Sequence, residues 1–215
     1  PTPSSAASDV YKRQVIFNIE SPLANFYVPI GANHMSSMLG KSVLITGGGS
    51  GIGRGVARHF AMQGARVTIS GRREKKLAAT SNEMNGEIAY VVGDVTREDD
   101  RKSMIQNSVK YGGRLDALIS NAGNMYRSDV ADLDEDELLS IFHSNVIAGM
   151  MLVKEAYDHL KHSQGCIIFV GSVHTQRAFP NASPYAATKG ALETLTGVLA
   201  AELGKDNIRV GLSLI

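Results

Sequence analysis

Cys166 is the only cysteine in the 215 residues, so no internal disulfide can form. That suits a reducing compartment, and a cytoplasmic location is expected. Charge of either sign is not in excess. The 22 basic and 21 acidic side chains leave a net charge of +1, which removes the usual electrostatic argument for nucleic acid or a membrane surface. No apolar run approaches the roughly 20 residues needed to span a bilayer. The N-terminus lacks the basic region and apolar stretch of a signal peptide. Metal chemistry finds little support. His159 and His162 lie near a helix end, no third ligand follows at metal spacing, and both read as solvated helix surface. No repeat occurs at solenoid periods. What remains is an ordinary composition, 43% hydrophobic and 20% charged, in a chain long enough to bury one core.

Glycine is plentiful, 22 residues in clusters, which points to tight backbone turns. From Lys41 onward, strand and helix patterns alternate. Strands are expected at Val43–Thr46, Arg66–Ser70, Ile88–Val92, Leu115–Ser120, Cys166–Val170 and from Ile208. Helices are expected at Gly51–Gly64, with Ile52, Val56 and Phe60 as its apolar stripe, and at Glu74–Met84, Glu98–Tyr111, Glu135–Lys161 and Pro184–Leu203. The acidic run Asp134–Glu137 opens the long fourth helix, where carboxylates and helix dipole agree in sign. Repeated β-α units with continuously apolar strands predict an α/β fold, a Rossmann-like doubly wound parallel sheet with strand order 3-2-1-4-5-6.

The two ends read as foreign. Tyr11-Lys12-Arg13-Gln14 can be encoded by TAT AAG AGA CAG, whose reverse complement encodes Leu-Ser-Leu-Ile, and the chain ends Leu212-Ser213-Leu214-Ile215. Extended upstream through Asp9 and Val10, the string resembles the inverted end of a sequencing-library transposon. The expectation is a non-native or disordered extension over 1–40, a dinucleotide-binding and catalytic domain over 41–211, and a non-native tail over 212–215. Met35 or Met38 is then the native start.

Between the first strand and first helix stands Thr46-Gly47-Gly48-Gly49-Ser50-Gly51-Ile52-Gly53. Glycines here permit a tight turn and close approach of backbone to a diphosphate, and the helix N-terminus offers free N–H groups. After the second strand, Gly71 replaces the acidic residue that would bind the 2′-hydroxyl of an NAD ribose. Arg72 and Arg73 follow it, which suits the 2′-phosphate of NADP. The expected cofactor is NADP(H), with NAD(H) as the alternative, and a solvated basic run continuing into Lys75 and Lys76 as the plainer reading.

Tyr185 and Lys189 are four apart on one helix, so phenol and ammonium share a face. A free phenol is a poor base at neutral pH, and a neighbouring ammonium favours its ionised form. Ser172 ends the fifth strand and can hydrogen-bond the same substrate oxygen. His174, two residues on, either lines the substrate mouth or is an ordinary loop histidine.

With its glycine spacing Gly-x3-Gly-x-Gly, followed by Asn121-Ala122-Gly123, Asn145, Ser172, Tyr185 and Lys189 in that order, the chain resembles the short-chain dehydrogenase/reductase family. The intervals 145→172 and 172→185, 27 and 13 positions, match its pattern. The resemblance runs from about Lys41 to Val210. It implies an oxidoreductase moving a hydride between NADP(H) and a carbonyl or secondary alcohol, a 3-oxoacyl thioester or a sugar- or steroid-like alcohol among the candidates. A non-catalytic NADP-binding protein is the alternative. It implies catalytic roles for Asn145, Ser172, Tyr185 and Lys189, with Asn145 bracing a proton-relaying water and Lys189 holding the nicotinamide ribose. It also implies cofactor contacts at Thr46, Gly47, Ser50, Gly51, Ile52, Gly53, Asp94, Val95, Asn121, Ala122, Gly123, Tyr185 and Lys189. Family members form dimers or tetramers, and Gly149, Leu195 and Val198 could face such a partner or the sheet. The family continues past strand six into a Pro-Gly turn, a substrate-covering segment and a seventh strand, whereas here Gly211-Leu212-Ser213-Leu214-Ile215 follows. A catalytic domain short of its lid and seventh strand is therefore expected.

Overall fold

The computed structural model describes residues 38–84 and 86–215. The expected N-terminal extension lies, apart from residues 38–40, outside them. Six strands form one parallel sheet: β1 (Ser42–Thr46), β2 (Arg66–Gly71), β3 (Ile88–Val92), β4 (Ala117–Ser120), β5 (Cys166–Val170) and β6 (Arg209–Ser213). Their spatial order is β3-β2-β1-β4-β5-β6, as the alternating pattern predicts. The central strand β1 is buried at every position, paired through Val43 with both Val67 and Ala117. A strand covered on both faces has no polar face to alternate with, hence the unbroken run Ser-Val-Leu-Ile-Thr.

The helices are α1 (Gly51–Met62), α2 (Glu74–Asn82), α3 (Glu98–Gly112), α4 (Glu135–Phe142), α5 (Ala148–Ser163) and α6 (Ser183–Leu203). Two apolar clusters lie on the two sides of the sheet. Leu44, Leu118, Ile167 and Phe169 pack with Met104, Leu152 and Leu192; Val43, Ile45, Val67 and Ile69 pack with Ala57, Ala61 and Leu77.

The α1 stripe differs from the expected one. Gly53, Ala57 and Ala61 are the buried residues, Val56 and Phe60 pack partly against the cluster, and Ile52 is exposed. A helix lying this close to the sheet presents small side chains inward, which displaces the larger ones to the flank.

The single long helix expected over 135–161 is also corrected. A π-turn, His143–Ile147, separates α4 from α5. Its wider turn carries Asn145 inward, 3% exposed, to meet partners on two other segments. Gly149 faces the sheet: a Cβ there would stand 3.2 Å from the Phe169 ring. Leu195 packs against the core, and of the three positions only Val198 is substantially exposed.

Two buried charges tie α3 to α5. Arg101 and Glu155 approach to 3.2 Å with side chains 5% and 8% exposed. Arg101 also donates to the Val95 carbonyl oxygen at 2.9 Å, fixing the loop after β3.

The sheet runs beyond the boundary expected at Gly211. Leu212 and Ser213 pair with Phe169 and Val170, Leu214 is buried, and the Val173 N–H donates to the Ile215 carbonyl at 3.0 Å. Alternating Leu and Ser suits a strand, and β5 offers an unpaired edge to receive it.

Candidate active site

The site lies at the carboxyl ends of the strands, where a doubly wound sheet opens a crevice. The turn after β1 is built around positive φ at Gly47, +69°, and Gly51, +53°, which glycine alone adopts cheaply. A Cβ at Gly53 would come within 2.5 Å of both the Gly47 carbonyl oxygen and Asn121 Nδ2. The α1 N-terminus is left chemically open. Ser50, its N-cap, makes no side-chain capping bond, and no acidic residue stands in the first turn. Its first N–H groups and positive dipole end are therefore available to an anion.

Asn121 organises the facing wall. Its Nδ2 donates to the Thr46 carbonyl at 2.8 Å, while the Asn121 and Ala122 N–H groups donate to Thr46 Oγ1 at 3.1 and 3.0 Å. Thr46 is wholly buried, and it fastens the turn after β4 to β1.

A groove of about 440 Å³ extends from this turn across the strand ends. Gly47, Ser50, Ile52, Arg72, Arg73, Asp94, Val95, Asn121, Ala122 and Gly123 are among the residues that line it. Gly51 and Gly53 are not among its lining residues; they shape the turn. Lys76, Thr96, Asn124, Ser140, His143 and Ser144 also line the groove; the last three come from α4 and the π-turn, where nothing in the sequence pattern marks them.

Arg73 donates to Ser50 Oγ at 3.3 Å. Arg72 lies 3.9 Å from the Asp94 carboxylate and is 65% exposed, free to reach a ligand. Burial raises the Asp94 pKa, but bonds from Thr96 and the Arg72 charge outweigh it, and the net direction is down. Asp94 is thus an anionic acceptor in the groove, its Oδ1 already engaged by the Thr96 N–H and hydroxyl at 3.0 and 2.8 Å.

The catalytic candidates converge from three elements. Helix α6 opens with Ser183-Pro184, proline at the start where its missing N–H costs nothing. Its first turn presents Tyr185, and one turn later comes Lys189, whose Nζ lies 5.5 Å from the Tyr185 ring centroid. Lys189 is 5% exposed and donates to the Val170 carbonyl at 2.7 Å; burial pushes its pKa down to about 8. Ser172, at the end of β5, is likewise buried. Asn145 uses both ends of its amide. Nδ2 donates to the Asn124 carbonyl at 3.0 Å and to Thr188 Oγ1 at 3.1 Å, and Oδ1 accepts from the Asn124 N–H at 2.7 Å. It clamps the loop beyond Gly123 to the residue preceding Lys189.

His174 is the neighbour whose role the sequence leaves open. Its Nδ1 lies 3.1 Å from Ser172 Oγ, and its ring meets Tyr185 edge-on at 5.1 Å. Only the i+2 spacing from Ser172 hints at this.

Known proteins are similar to this chain. The family model described as short chain dehydrogenase matches residues 41–213. A glucose 1-dehydrogenase from Gluconobacter oxydans is 34% identical over 83% of this chain and 70% of its own length. An L-fucose dehydrogenase from Bos taurus is 34% identical over 80% of this chain, which spans 63% of that relative. A crystal structure of a 3-ketoacyl-(acyl-carrier-protein) reductase from Brucella melitensis, complexed with NADH, superposes with a TM-score of 0.79 at 31% identity, covering 82% of this chain and 75% of that one. Matched over residues 41–213 by that family model, and carrying the glycine turn, the Asn-Ala-Gly wall and the Tyr–Lys helix, the chain belongs to the short-chain dehydrogenase/reductase family.

Proposed function

We propose that the protein is an oxidoreductase interconverting a carbonyl and a secondary alcohol on a small molecule, with NADP(H) as its preferred cofactor. The observation that carries this is the convergence of Ser172, Tyr185 and Lys189 beside a groove suited to a dinucleotide. The residues fit the group: Gly47 and the open α1 N-terminus would receive the diphosphate, Asp94 and Val95 the adenine, and Arg72 and Arg73 a 2′-phosphate.

A nicotinamide dinucleotide bound there supplies hydride donor or acceptor capacity. The chain's own residues handle the oxygen. Tyr185 gives a proton to the carbonyl oxygen in reduction and takes one from the alcohol in oxidation. Ser172 donates a hydrogen bond to that oxygen as negative charge grows on it. The Lys189 ammonium is held beside the Tyr185 ring by its bond to the Val170 carbonyl. Asn145 and Thr188 hold the floor beneath them.

Glucose, fucose and 3-ketoacyl substrates, named for the relatives, mark the range to be tried. A cytoplasmic location and a homo-oligomer, with exposed Ile147, Met150 and Val198 offered to a partner, complete the proposal. Nicotinamide absorbance over a panel of sugars, ketones and 3-oxoacyl thioesters, with each cofactor, tests it. Turnover with NADPH exceeding that with NADH is expected. No turnover despite cofactor binding would favour a binding protein.

A further inference from the structure

We propose that His174 is a positioning residue that holds the Ser172 hydroxyl with its hydrogen turned toward the substrate oxygen. The inference rests on the oxidoreductase reading and assigns a residue to it.

Ser172 Oγ has one hydrogen to give and two lone pairs to fill. It accepts from the His174 backbone N–H at 3.3 Å. The second contact, 3.1 Å to His174 Nδ1, runs in either direction depending on where the imidazole carries its hydrogen. If Nδ1 is bare, Ser172 spends its only hydrogen on the ring and has none for a substrate.

The opposite edge of the ring decides between these. His174 Nε2 has less than 1 Å² of exposed surface and no hydrogen-bond partner among the described residues. A hydrogen on Nε2 would be a buried donor without an acceptor, at a cost of about 1–3 kcal/mol. A lone pair left without a donor is the more readily tolerated vacancy. The single ring hydrogen is therefore placed on Nδ1, which donates it to Ser172 Oγ. Both lone pairs of Ser172 are then filled, and its own hydrogen is left for the substrate oxygen.

The ring is held in place by its neighbours. It stacks on Phe179, centroids 4.3 Å apart, and abuts Tyr185 edge-on at an interplanar angle of 85°. His174 thus joins the serine that binds the substrate oxygen to the tyrosine that exchanges its proton. It touches the reacting atoms only through them.

The test uses His174→Leu and His174→Asn in the unaltered and Ser172→Ala backgrounds, with NADPH and whichever carbonyl the panel turns over. His174→Leu should lower kcat about tenfold, a part of what losing a whole oxyanion donor costs, while cofactor Kd stays unchanged. In the Ser172→Ala background it should cost nothing further. His174→Asn should keep most of the turnover, because an amide N–H can stand where the Nδ1 hydrogen was. Nitrogen NMR of the unsubstituted protein should find the hydrogen on Nδ1, and this decides the matter if the leucine variant does not fold. Unchanged kcat in a folded leucine variant, losses that add in the double variant, or a hydrogen found on Nε2 would each overturn the proposal. A Ser172→Ala enzyme as active as the unaltered one would instead defeat the mechanism on which it rests.

Discussion

Lys189 reaches back from α6 to donate to the Val170 carbonyl oxygen at 2.7 Å, the last residue of β5 and two before Ser172. The bond fixes the ammonium beside the Tyr185 ring. Among the described residues it has no carboxylate partner.

That placement has a measurable cost in stability. Unfolded, the lysine titrates near 10.5; folded, burial lowers this to about 8. Between the two values the unfolded chain binds the extra proton, so this group makes stability rise with pH across the window. Below pH 8 the penalty is fully present, about 3 kcal/mol from the size of the shift. Lys189→Met should therefore unfold at higher denaturant concentration than the unaltered protein at pH 7. The advantage should shrink between pH 8 and 10.5. Denaturant midpoints at a series of pH values check this, and a gap that stays constant with pH would defeat it.

Tyr185→Phe removes one hydroxyl from a half-buried ring and leaves the contact with His174 intact. Fold and cofactor affinity should survive. Turnover should fall by roughly 10²–10⁴, the usual contribution of a positioned acid or base. Steady-state rates with cofactor binding measured separately would show the split.

Arg72→Asp should move preference from NADPH toward NADH. The arginine is largely exposed and only 3.9 Å from Asp94, so little structure depends on it. Losing a charge-assisted bond of about 1.5–3 kcal/mol corresponds to roughly 10–100-fold in NADPH affinity. Titration with both cofactors decides. If the unaltered protein already binds NADH more tightly, the assignment of Arg72 to a 2′-phosphate is wrong.

Gly53→Ala should damage the cofactor turn even though Gly53 has an ordinary helical backbone. The added Cβ would sit 2.5 Å from the Gly47 carbonyl oxygen and from Asn121 Nδ2. Either α1 moves out or Asn121 releases Thr46, and overpacking of this kind costs typically 1–3 kcal/mol. Both the unfolding midpoint and the affinity for NADPH should drop together.

Arg101→Met leaves Glu155 as an unpaired buried charge, and a loss of about 3–5 kcal/mol in unfolding free energy is expected. Adding Glu155→Leu should recover most of it, since the uncompensated charge is gone. NADPH affinity should remain weakened in the double variant, because the Val95 carbonyl still lacks its Arg101 donor.

The sequence alone determined the strand order and the family. Alternating apolar strands and amphipathic helices, joined by short connections, admit few arrangements, because parallel strands need crossovers and these take one hand. The spacing of Tyr185 and Lys189 on one helix, and the glycines at 47 and 51, are local requirements, visible wherever local backbone geometry dictates residue type. Tertiary structure decided what depends on distant partners. The break in the long helix at His143–Ile147 answers to hydrogen bonds from Asn145 to Asn124 and Thr188, which no helical period foretells. Thr46 became a fastener because β4 lies beside β1. Arg101 and Glu155 look like ordinary surface charges until α3 packs on α5. Whether His174 was a loop residue or a neighbour of Ser172 and Tyr185 was settled only when β5 and α6 converged on it. Periodicity reports which face of an element is buried, but the identity of a partner 20 or more positions away is a property of the folded chain.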